Sequence, residues 1–131
     1  MSQPYVFQLA SQRTQWLSTR ETLIAGNVAN ANTPGYQATD LEPFSSVLAS
    51  THMSMATTSP LHLTPSQDEL NAAHVINDES SDETISGNTV RLEDEMMKLG
   101  EVNRDYSMSS NIKRTLHQMI MSVLKDRKSV V

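Results

Sequence analysis

Residues 23–36 read Leu-Ile-Ala-Gly-Asn-Val-Ala-Asn-Ala-Asn-Thr-Pro-Gly-Tyr and mark the point where a long helical stretch has to end. Gly26 weakens a helix through backbone entropy, and the three asparagines carry amides that compete for backbone hydrogen bonds. Pro34 forces Thr33 into an extended conformation. Pro34 and Gly35 suit the central positions of a type II turn, where glycine adopts a positive φ. The stretch therefore predicts a long helix closed by an amide-rich turn, and we call residues 27–36 the corner.

The residues before the corner have the periodicity of an amphipathic helix. Leu9, Trp16 and Leu23 recur every seven residues, and a second apolar series follows one position behind. No proline interrupts the run. The pattern predicts a helix over residues 5–30.

The last third of the chain predicts a second long helix, over residues 90–124. Its apolar residues are spaced three and four apart, as in a seam that faces another helix. Asn88 and Thr89 are the candidate N-caps, and the acidic residues 93–95 fall in the first turn, where the helix dipole favours negative charge.

The middle of the chain has a different composition. Residues 45–87 are rich in serine, threonine and acidic residues, and two prolines interrupt any local helix. Such a segment buries too little apolar area to offset its ordering entropy, so we expect a polar, mobile connection. Leu61, Leu63, Val75 and Ile76 are the candidates for short strands. The chain thus divides into residues 1–44, with the first helix and the corner, 45–87, and 88–131, with the second helix.

Helix length indicates the architecture. The second helix would be roughly 50 Å long, whereas a compact chain of 131 residues has a diameter of roughly 36 Å. We predict a mainly α fold in which two long terminal helices pair as an elongated, coiled-coil-like hairpin, with a mostly irregular polar middle that has room for a short β-hairpin. An isolated pair leaves apolar stripes in water, which favours burial against other subunits.

Composition excludes several classes of function. The net charge of -5 argues against a nucleic-acid partner, and the absence of cysteine removes thiol chemistry. No segment is apolar enough to span a membrane, and the first twenty residues do not have the pattern of a secretory signal. The four histidines are not spaced as metal ligands, and there is no phosphate-binding loop or convergent catalytic set. We therefore predict no enzyme activity, no metal or other cofactor and no small-molecule substrate.

Two stretches resemble the signatures of a known family, the bacterial flagellar rod and hook family of axial proteins. One is Arg20 followed by residues 23–36, and the other is Gly-Asn-Thr-Val-Arg-Leu-Glu at residues 87–93, which leads through Met96 and Met97 toward the C-terminal helix. The likeness covers both ends and more than half of the chain. It departs from the family at Arg91, where relatives usually carry an acidic capping residue, and at residues 9–10, where they carry Gly-Leu.

The resemblance implies a structural role. The short length is similar to that of a proximal rod subunit, which self-assembles into the axial drive shaft that crosses the periplasm and transmits torque. The expected partners are further copies of the chain, the rod protein FlgC, the adaptor FliE, the membrane-embedded MS ring and the flagellar type III export apparatus, which exports such proteins without a cleaved signal. The alternative is a soluble helical-hairpin adaptor or export chaperone, which would be fully helical as an isolated monomer.

Two sets of residues are expected to carry assembly. The corner would set the angle at which the chain leaves the inner helix layer, and its exposed amides would bond to neighbouring backbones. Its assembly residues are Asn27, Ala29, Asn30, Ala31, Asn32, Thr33, Pro34, Gly35 and Tyr36. The apolar stripes would pack between subunits through Leu9, Trp16, Leu23, Ile24, Leu92, Met96, Leu99, Val102, Tyr106, Ile112, Leu116, Ile120 and Val123.

Overall fold

Two long helices at the ends of the chain dominate the structure. The computed structural model describes residues 5–51, 74–78 and 82–128. In chain order the elements are helix α1 (Tyr5–Ala29), strand β1 (Thr39–Leu41), helix α2 (Phe44–Thr51), strand β2 (Val75–Asn77) and helix α3 (Leu92–Lys128). The predicted mainly α fold is confirmed, and both long helices begin and end within four residues of their predicted bounds.

The helices α1 and α3 pack against each other in opposite directions. Contacts between them join Asn27 to Glu95, Arg20 to Glu101 and Arg13 to Asp105. The residue number falls along α1 while it rises along α3, so the pair is antiparallel. Extrapolating this pairing places the first turn of α1 near residue 114 of α3, and the last turns of α3 extend beyond it.

The core lies at the middle of this pair. It is formed by Trp16, Leu17, Ile24, Leu41 and Val102, with Leu23, Val28, Phe44, Val47 and Leu99 packed partly buried around them. The heptad-spaced face of α1 is therefore the face that packs inside the chain. This small core joins both helices to β1 and α2.

A two-stranded antiparallel sheet joins the residues that follow the corner to the end of the middle segment. The strands β1 and β2 pair with Thr39 opposite Asn77 and Leu41 opposite Val75. The predicted strand residues Val75 and Ile76 lie in β2, whereas Leu61 and Leu63 lie outside the described residues. The pairing returns the connecting segment to α1 before α3 begins.

The helix α2 was not predicted, since the segment from residue 45 was expected to be irregular. The carbonyl of Pro43 accepts the N–H groups of Ser46 and Val47 at 2.9 and 3.3 Å, which starts the helix. The rings of Phe44 and Trp16 are 5.9 Å apart. Packing against the core stabilises a short helix that local propensity alone does not indicate.

Candidate assembly site

Hydrogen bonds among its own residues build the turn of the corner. The backbone N–H and the side-chain amide of Asn30 both donate to the carbonyl of Gly26, at 3.1 and 2.9 Å. The N–H of Tyr36 donates to the carbonyl of Thr33 at 3.3 Å, and Gly35 between them has a φ of 72°. This hydrogen bond and the positive φ are those of the predicted type II turn.

Asn27 is the polar centre of the contact between α1 and α3, and its side chain is completely buried. Its Nδ2 donates to the carbonyl of Thr39 at 2.8 Å and to Glu95 Oε2 at 2.9 Å. Its Oδ1 accepts the N–H of Thr39 at 3.0 Å and lies 3.4 Å from the Tyr36 hydroxyl. One amide thus joins the end of α1, the start of β1 and the first turns of α3. The expectation that the amides of the corner are exposed is wrong for Asn27, which is buried. The side-chain amide of Asn30 bonds to a carbonyl of its own helix.

Asn88 holds the corner from the opposite side, although it lies more than fifty residues further along the chain. Its side chain is buried, and the two hydrogens of its Nδ2 are shared among the carbonyls of Asn30, Ala31 and Thr33, which lie 2.9, 2.9 and 2.8 Å away. Its Oδ1 accepts the N–H of Val90 at 2.7 Å. Asn88 therefore satisfies carbonyl groups that the end of α1 leaves without helical partners.

The predicted N-cap of α3 is wrong. Thr89 uses its hydroxyl to accept the N–H of Ala38 at 2.8 Å, and Asn88 is engaged at the corner. The first hydrogen bond of α3 runs from the N–H of Glu95 to the carbonyl of Arg91 at 3.1 Å. The Asn88 side chain bonds to the corner and the Thr89 side chain to the segment that follows it, and the helix begins two to three residues later.

Two glycines with positive φ lie where the corner meets the segment before α3. The N–H of Gly35 donates to the carbonyl of Ser86 at 2.9 Å. Gly87 has a φ of 77°, and a Cβ added there would lie 3.4 Å from the Cα of Gly35. The corner and residues 84–90 form one closely packed unit.

An ion network continues from Asn27 through the hairpin. Glu95 is only 1% exposed, and its Oε1 lies 2.9 Å from the Nζ of Lys98, which also contacts Asp78. Asp40 lies 3.9 Å from the same ammonium group and forms a two-point hydrogen bond with Arg20 at 2.9 and 3.0 Å. The network joins α1, β1, the end of β2 and α3.

The carboxylates around Lys98 stabilise its charged form. Burial by itself lowers the pKa of Lys98, but hydrogen bonds to Asp78 and Glu95 and the attraction of both carboxylates outweigh it and raise the pKa above its ordinary value. The prediction that Glu95 serves the helix dipole is therefore incomplete, because its carboxylate is the buried acceptor for both Lys98 and Asn27.

The N-terminal half of α1 has a second tie to α3. Arg13 forms an ion pair with Asp105 at 2.6 Å, and its guanidinium lies 5.3 Å from the ring centre of Trp16 and 5.1 Å from that of Phe44. The guanidinium of Arg20 lies 5.4 Å from the Trp16 ring. These distances allow cation–π attraction in addition to the ion pair.

The residues assigned to the corner differ widely in exposure. Asn27 is buried, and Asn30, Ala31 and Tyr36 are half-buried. The exposed members are Ala29, Asn32, Thr33, Pro34 and Gly35. A neighbouring molecule can therefore reach the turn itself but not its central amide.

The predicted packing residues fall into three groups. Trp16, Ile24 and Val102 are buried within the chain, so their packing partners are intramolecular. Leu9, Leu23, Leu99 and Leu116 are half-buried. The exposed members, all on α3, are Leu92, Met96, Tyr106, Ile112, Ile120 and Val123.

A groove runs along α3 beside these exposed residues. It has a volume of about 520 Å³, and its apolar lining is formed by Met108, Ile112 and Leu116. A smaller hollow of about 250 Å³ continues along the same helix at Met119 and Val123. No helix in the described ranges is long and apolar enough to cross a membrane.

Sequence reasoning missed three residues of this site: Asn88, Glu95 and Lys98. Asn88 was interpreted from its neighbours in sequence, whereas its acceptors lie 55 to 58 residues away. The spacing of three between Glu95 and Lys98 is the one signal that could have indicated an ion pair, since such residues are neighbours on a helix.

Comparison with known proteins agrees with this architecture. The chain is 38% identical over 125 residues to the flagellar basal body rod protein FlgB of Agrobacterium fabrum, covering 92% of both chains. It is 32% identical over 120 residues to FlgB of Escherichia coli K12, covering 81% of this chain and 83% of the relative, and equally similar to FlgB of Shigella flexneri. No protein-family model matches the chain.

The chain is similar in sequence to flagellar basal body rod proteins over most of its length, and it folds as a pair of long helices. It is therefore a structural protein of the flagellar basal body rod. Within that class, the chain belongs to the FlgB family.

Proposed function

We propose that this chain is a subunit of the proximal rod of the flagellum and assembles with further copies into the axial shaft that transmits torque. The observation that carries the proposal is the contrast between the two parts of α3. Its first half is tied to α1 by the buried Asn27–Glu95 hydrogen bond and the partly exposed Arg13–Asp105 ion pair, whereas its second half has a wide apolar surface with no cover among the described residues.

Torque transmission needs a subunit that does not bend at its joints. The corner supports this property because Asn27 and Asn88 hold the end of α1 from two sides. The ion network of Lys98 adds a tie between the connecting segment and α3. Buried polar groups of this kind lose their partners if the elements shift, so they oppose bending.

The neighbours that we propose are FlgC, the adaptor FliE and the MS ring, reached after export by the flagellar type III apparatus. Family membership supports this set, and the uncovered length of α3 offers surface for more than one neighbour. The alternative of a soluble adaptor or export chaperone is not favoured, because the proteins to which the chain is similar over most of its length are rod proteins.

Substitution in the groove of α3 tests the proposal. Ile112 is 42% exposed and contacts the groove, so Ile112→Asp should leave the single chain folded and abolish its incorporation, because burying an unpaired carboxylate costs several kcal/mol. The measurement is immunodetection of the protein in purified basal bodies, together with motility in soft agar. The matched control is Asn103→Asp, which adds the same charge at an exposed polar position of α3 that does not line the groove.

Two results would refute the proposal. One is the absence of the wild-type protein from basal bodies that carry the other rod proteins. The other is normal incorporation of the Ile112→Asp protein at wild-type abundance.

A further inference from the structure

The strand β2 is attached to the fold by polar contacts. The side chains of its three residues, Val75, Ile76 and Asn77, are all exposed. The core that joins the two long helices contains residues of α1, β1, α2 and α3, and no residue of β2 among those that the structure describes. The strand therefore gains little from the hydrophobic burial that stabilises the rest of the fold.

Backbone hydrogen bonds to the segment around β1 are the first of these contacts. The N–H of Asp78 donates to the carbonyl of Ala38 at 2.9 Å, and the N–H of Glu42 donates to the carbonyl of His74 at 2.9 Å. These two bonds lie on either side of the three paired positions of the sheet. An isolated two-stranded sheet is marginally stable at best in water, so these bonds hold β2 weakly.

The second contact is the ion pair between Asp78 and Lys98, at the end of β2. Its side chains are only 11% and 17% exposed. The Nζ of Lys98 also lies 2.9 Å from Glu95 Oε1, and Glu95 Oε2 accepts a hydrogen bond from Asn27. One ammonium group therefore connects the end of β2 to the polar centre of the corner.

The other strand of the sheet is held in a different way. Thr39 donates its N–H to Asn27 Oδ1 at 3.0 Å, and its carbonyl accepts Asn27 Nδ2 at 2.8 Å. Leu41 is buried in the core, and the indole N–H of Trp16 donates to the carbonyl of Glu42 at 3.0 Å. The contacts that hold β1 on α1 do not involve β2.

We propose that residues 74–78 are a strap that opens and closes by itself while β1 and the pair of long helices stay folded, and that the Asp78–Lys98 ion pair is the latch that keeps it closed. Opening breaks a few polar contacts and removes no residue from the core. Its free energy is therefore lower than that of global unfolding, as is usual for segments with few buried contacts. This inference concerns the single folded chain and does not depend on the rod function.

Hydrogen exchange at two backbone amides near each other in the chain tests the proposal. The N–H of Glu42 bonds to the strap, whereas that of Thr39 bonds to Asn27 in α1. We expect the Glu42 amide of the isotope-labelled full chain, followed by NMR, to be protected at least about tenfold less than the Thr39 amide and the amides of Leu17 and Ile24 in the core. Equal protection at Glu42 and in the core would mean that the strap opens only when the whole chain unfolds, which would overturn the proposal.

Asp78→Asn tests the latch, because it removes the charge and keeps the size of the side chain. The protection of the Glu42 amide should fall by about tenfold, since a hydrogen bond between charged groups is lost, and that of the Thr39 amide should not change. The matched control is Asp82→Asn, which removes a carboxylate at an exposed position and should leave both amides as they are. An unchanged Glu42 amide in Asp78→Asn, or an equal loss of protection at every amide, would contradict the latch.

A disulfide across the sheet provides a second, independent measurement. Thr39 lies opposite Asn77, and because Glu42 and His74 form a hydrogen-bonded pair, alternation along the ladder makes Thr39 and Asn77 a non-hydrogen-bonded pair. The Cα atoms of such a pair are about 4.5 Å apart, a distance that a disulfide spans. The natural chain has no cysteine, so Thr39→Cys/Asn77→Cys forms this bond without competing partners in the same molecule.

The oxidised Thr39→Cys/Asn77→Cys chain should protect the Glu42 amide about as strongly as the amides of the core, because the strap can no longer leave β1. Reduction of the same sample should restore the faster exchange, and the fluorescence of Trp16 should show that both forms are folded. Exchange at Glu42 that is equally fast in the oxidised and reduced forms would overturn the proposal. The presence of the natural protein in purified basal bodies tests the rod function separately, whichever result is found.

Discussion

Replacing Asn27 with alanine tests whether the polar centre of the corner holds the hairpin together. The substitution removes the donors to the Thr39 carbonyl and to Glu95, and the acceptor of the Thr39 N–H. It leaves the buried carboxylate of Glu95 and the partly buried carbonyl and N–H of Thr39 without these partners. Glu95 keeps Lys98 as a partner, so its charge is not left fully unpaired.

The expected loss follows from these contacts. A lost hydrogen bond that leaves a buried neutral group unsatisfied costs about 1–3 kcal/mol, and one to a charged group costs more. Alanine recovers about 0.5 kcal/mol through its higher helix propensity. We expect Asn27→Ala to lower the free energy of unfolding by about 3–5 kcal/mol, a large part of the total of a small domain.

The chain contains its own probe for this measurement. Trp16 is the only tryptophan, lies in the core, and donates its indole N–H to the carbonyl of Glu42 at 3.0 Å. Urea unfolding of the purified chain, followed by tryptophan fluorescence and far-UV circular dichroism, gives the free energy of unfolding. Asn32→Ala is the matched control: it changes the same residue type at an exposed position of the corner and should cost less than about 0.5 kcal/mol.

A second substitution at Asn27 distinguishes the cost of the lost hydrogen bonds from the cost of charge repulsion. Asn27→Asp places a second carboxylate beside Glu95 and should be less stable than Asn27→Ala at neutral pH, with a difference that narrows in acid as carboxylates become protonated. A loss below about 1 kcal/mol for Asn27→Ala, or one equal to that of Asn32→Ala, would refute the role of Asn27.

The remaining predictions concern the ion network and the two close glycines. Lys98→Met should lower the free energy of unfolding by about 2–4 kcal/mol, because it leaves the buried carboxylate of Glu95 without its charged partner. The pKa of Lys98 is raised in the folded chain, so its contribution to stability is complete below the pKa that lysine has in the unfolded chain. That contribution is lost only as the pH rises through the folded pKa. Urea unfolding should therefore show a constant difference in stability between the natural chain and Lys98→Met from neutral pH to about pH 9, and a smaller difference in stronger alkali. Gly35→Ala and Gly87→Ala should each cost about 1 kcal/mol through the positive φ of the glycine, because a Cβ at either position makes no contact closer than 3.4 Å.

Each of these has a clear contrary result. A stability difference for Lys98→Met that shrinks between pH 7 and pH 9 would contradict the raised pKa. No loss of stability at either glycine, measured by the same urea unfolding, would show that their positive φ does not constrain the corner.

Local features of the sequence determined the two long helices and the turn. The periodicity around Trp16 and the apolar series of α3 predict helices because neighbours on one helix face are three, four or seven residues apart. Pro34 and Gly35 predict the turn because proline fixes its own φ and glycine adopts a positive φ without steric cost. These properties depend on residues that lie close together in the chain, so the sequence alone is sufficient.

The tertiary structure decided which polar residues serve the corner. Asn88 is of a residue type that is common at helix N-caps, but its amide bonds to carbonyls more than fifty residues away. Glu95 has the position of a dipole-stabilising charge, but it is buried between Asn27 and Lys98. Helix α2 forms where Phe44 meets the Trp16 ring. In each case a long-range contact outweighs a local preference of about 1 kcal/mol, because a buried polar or aromatic group gains more from its tertiary partner than from its neighbours in sequence.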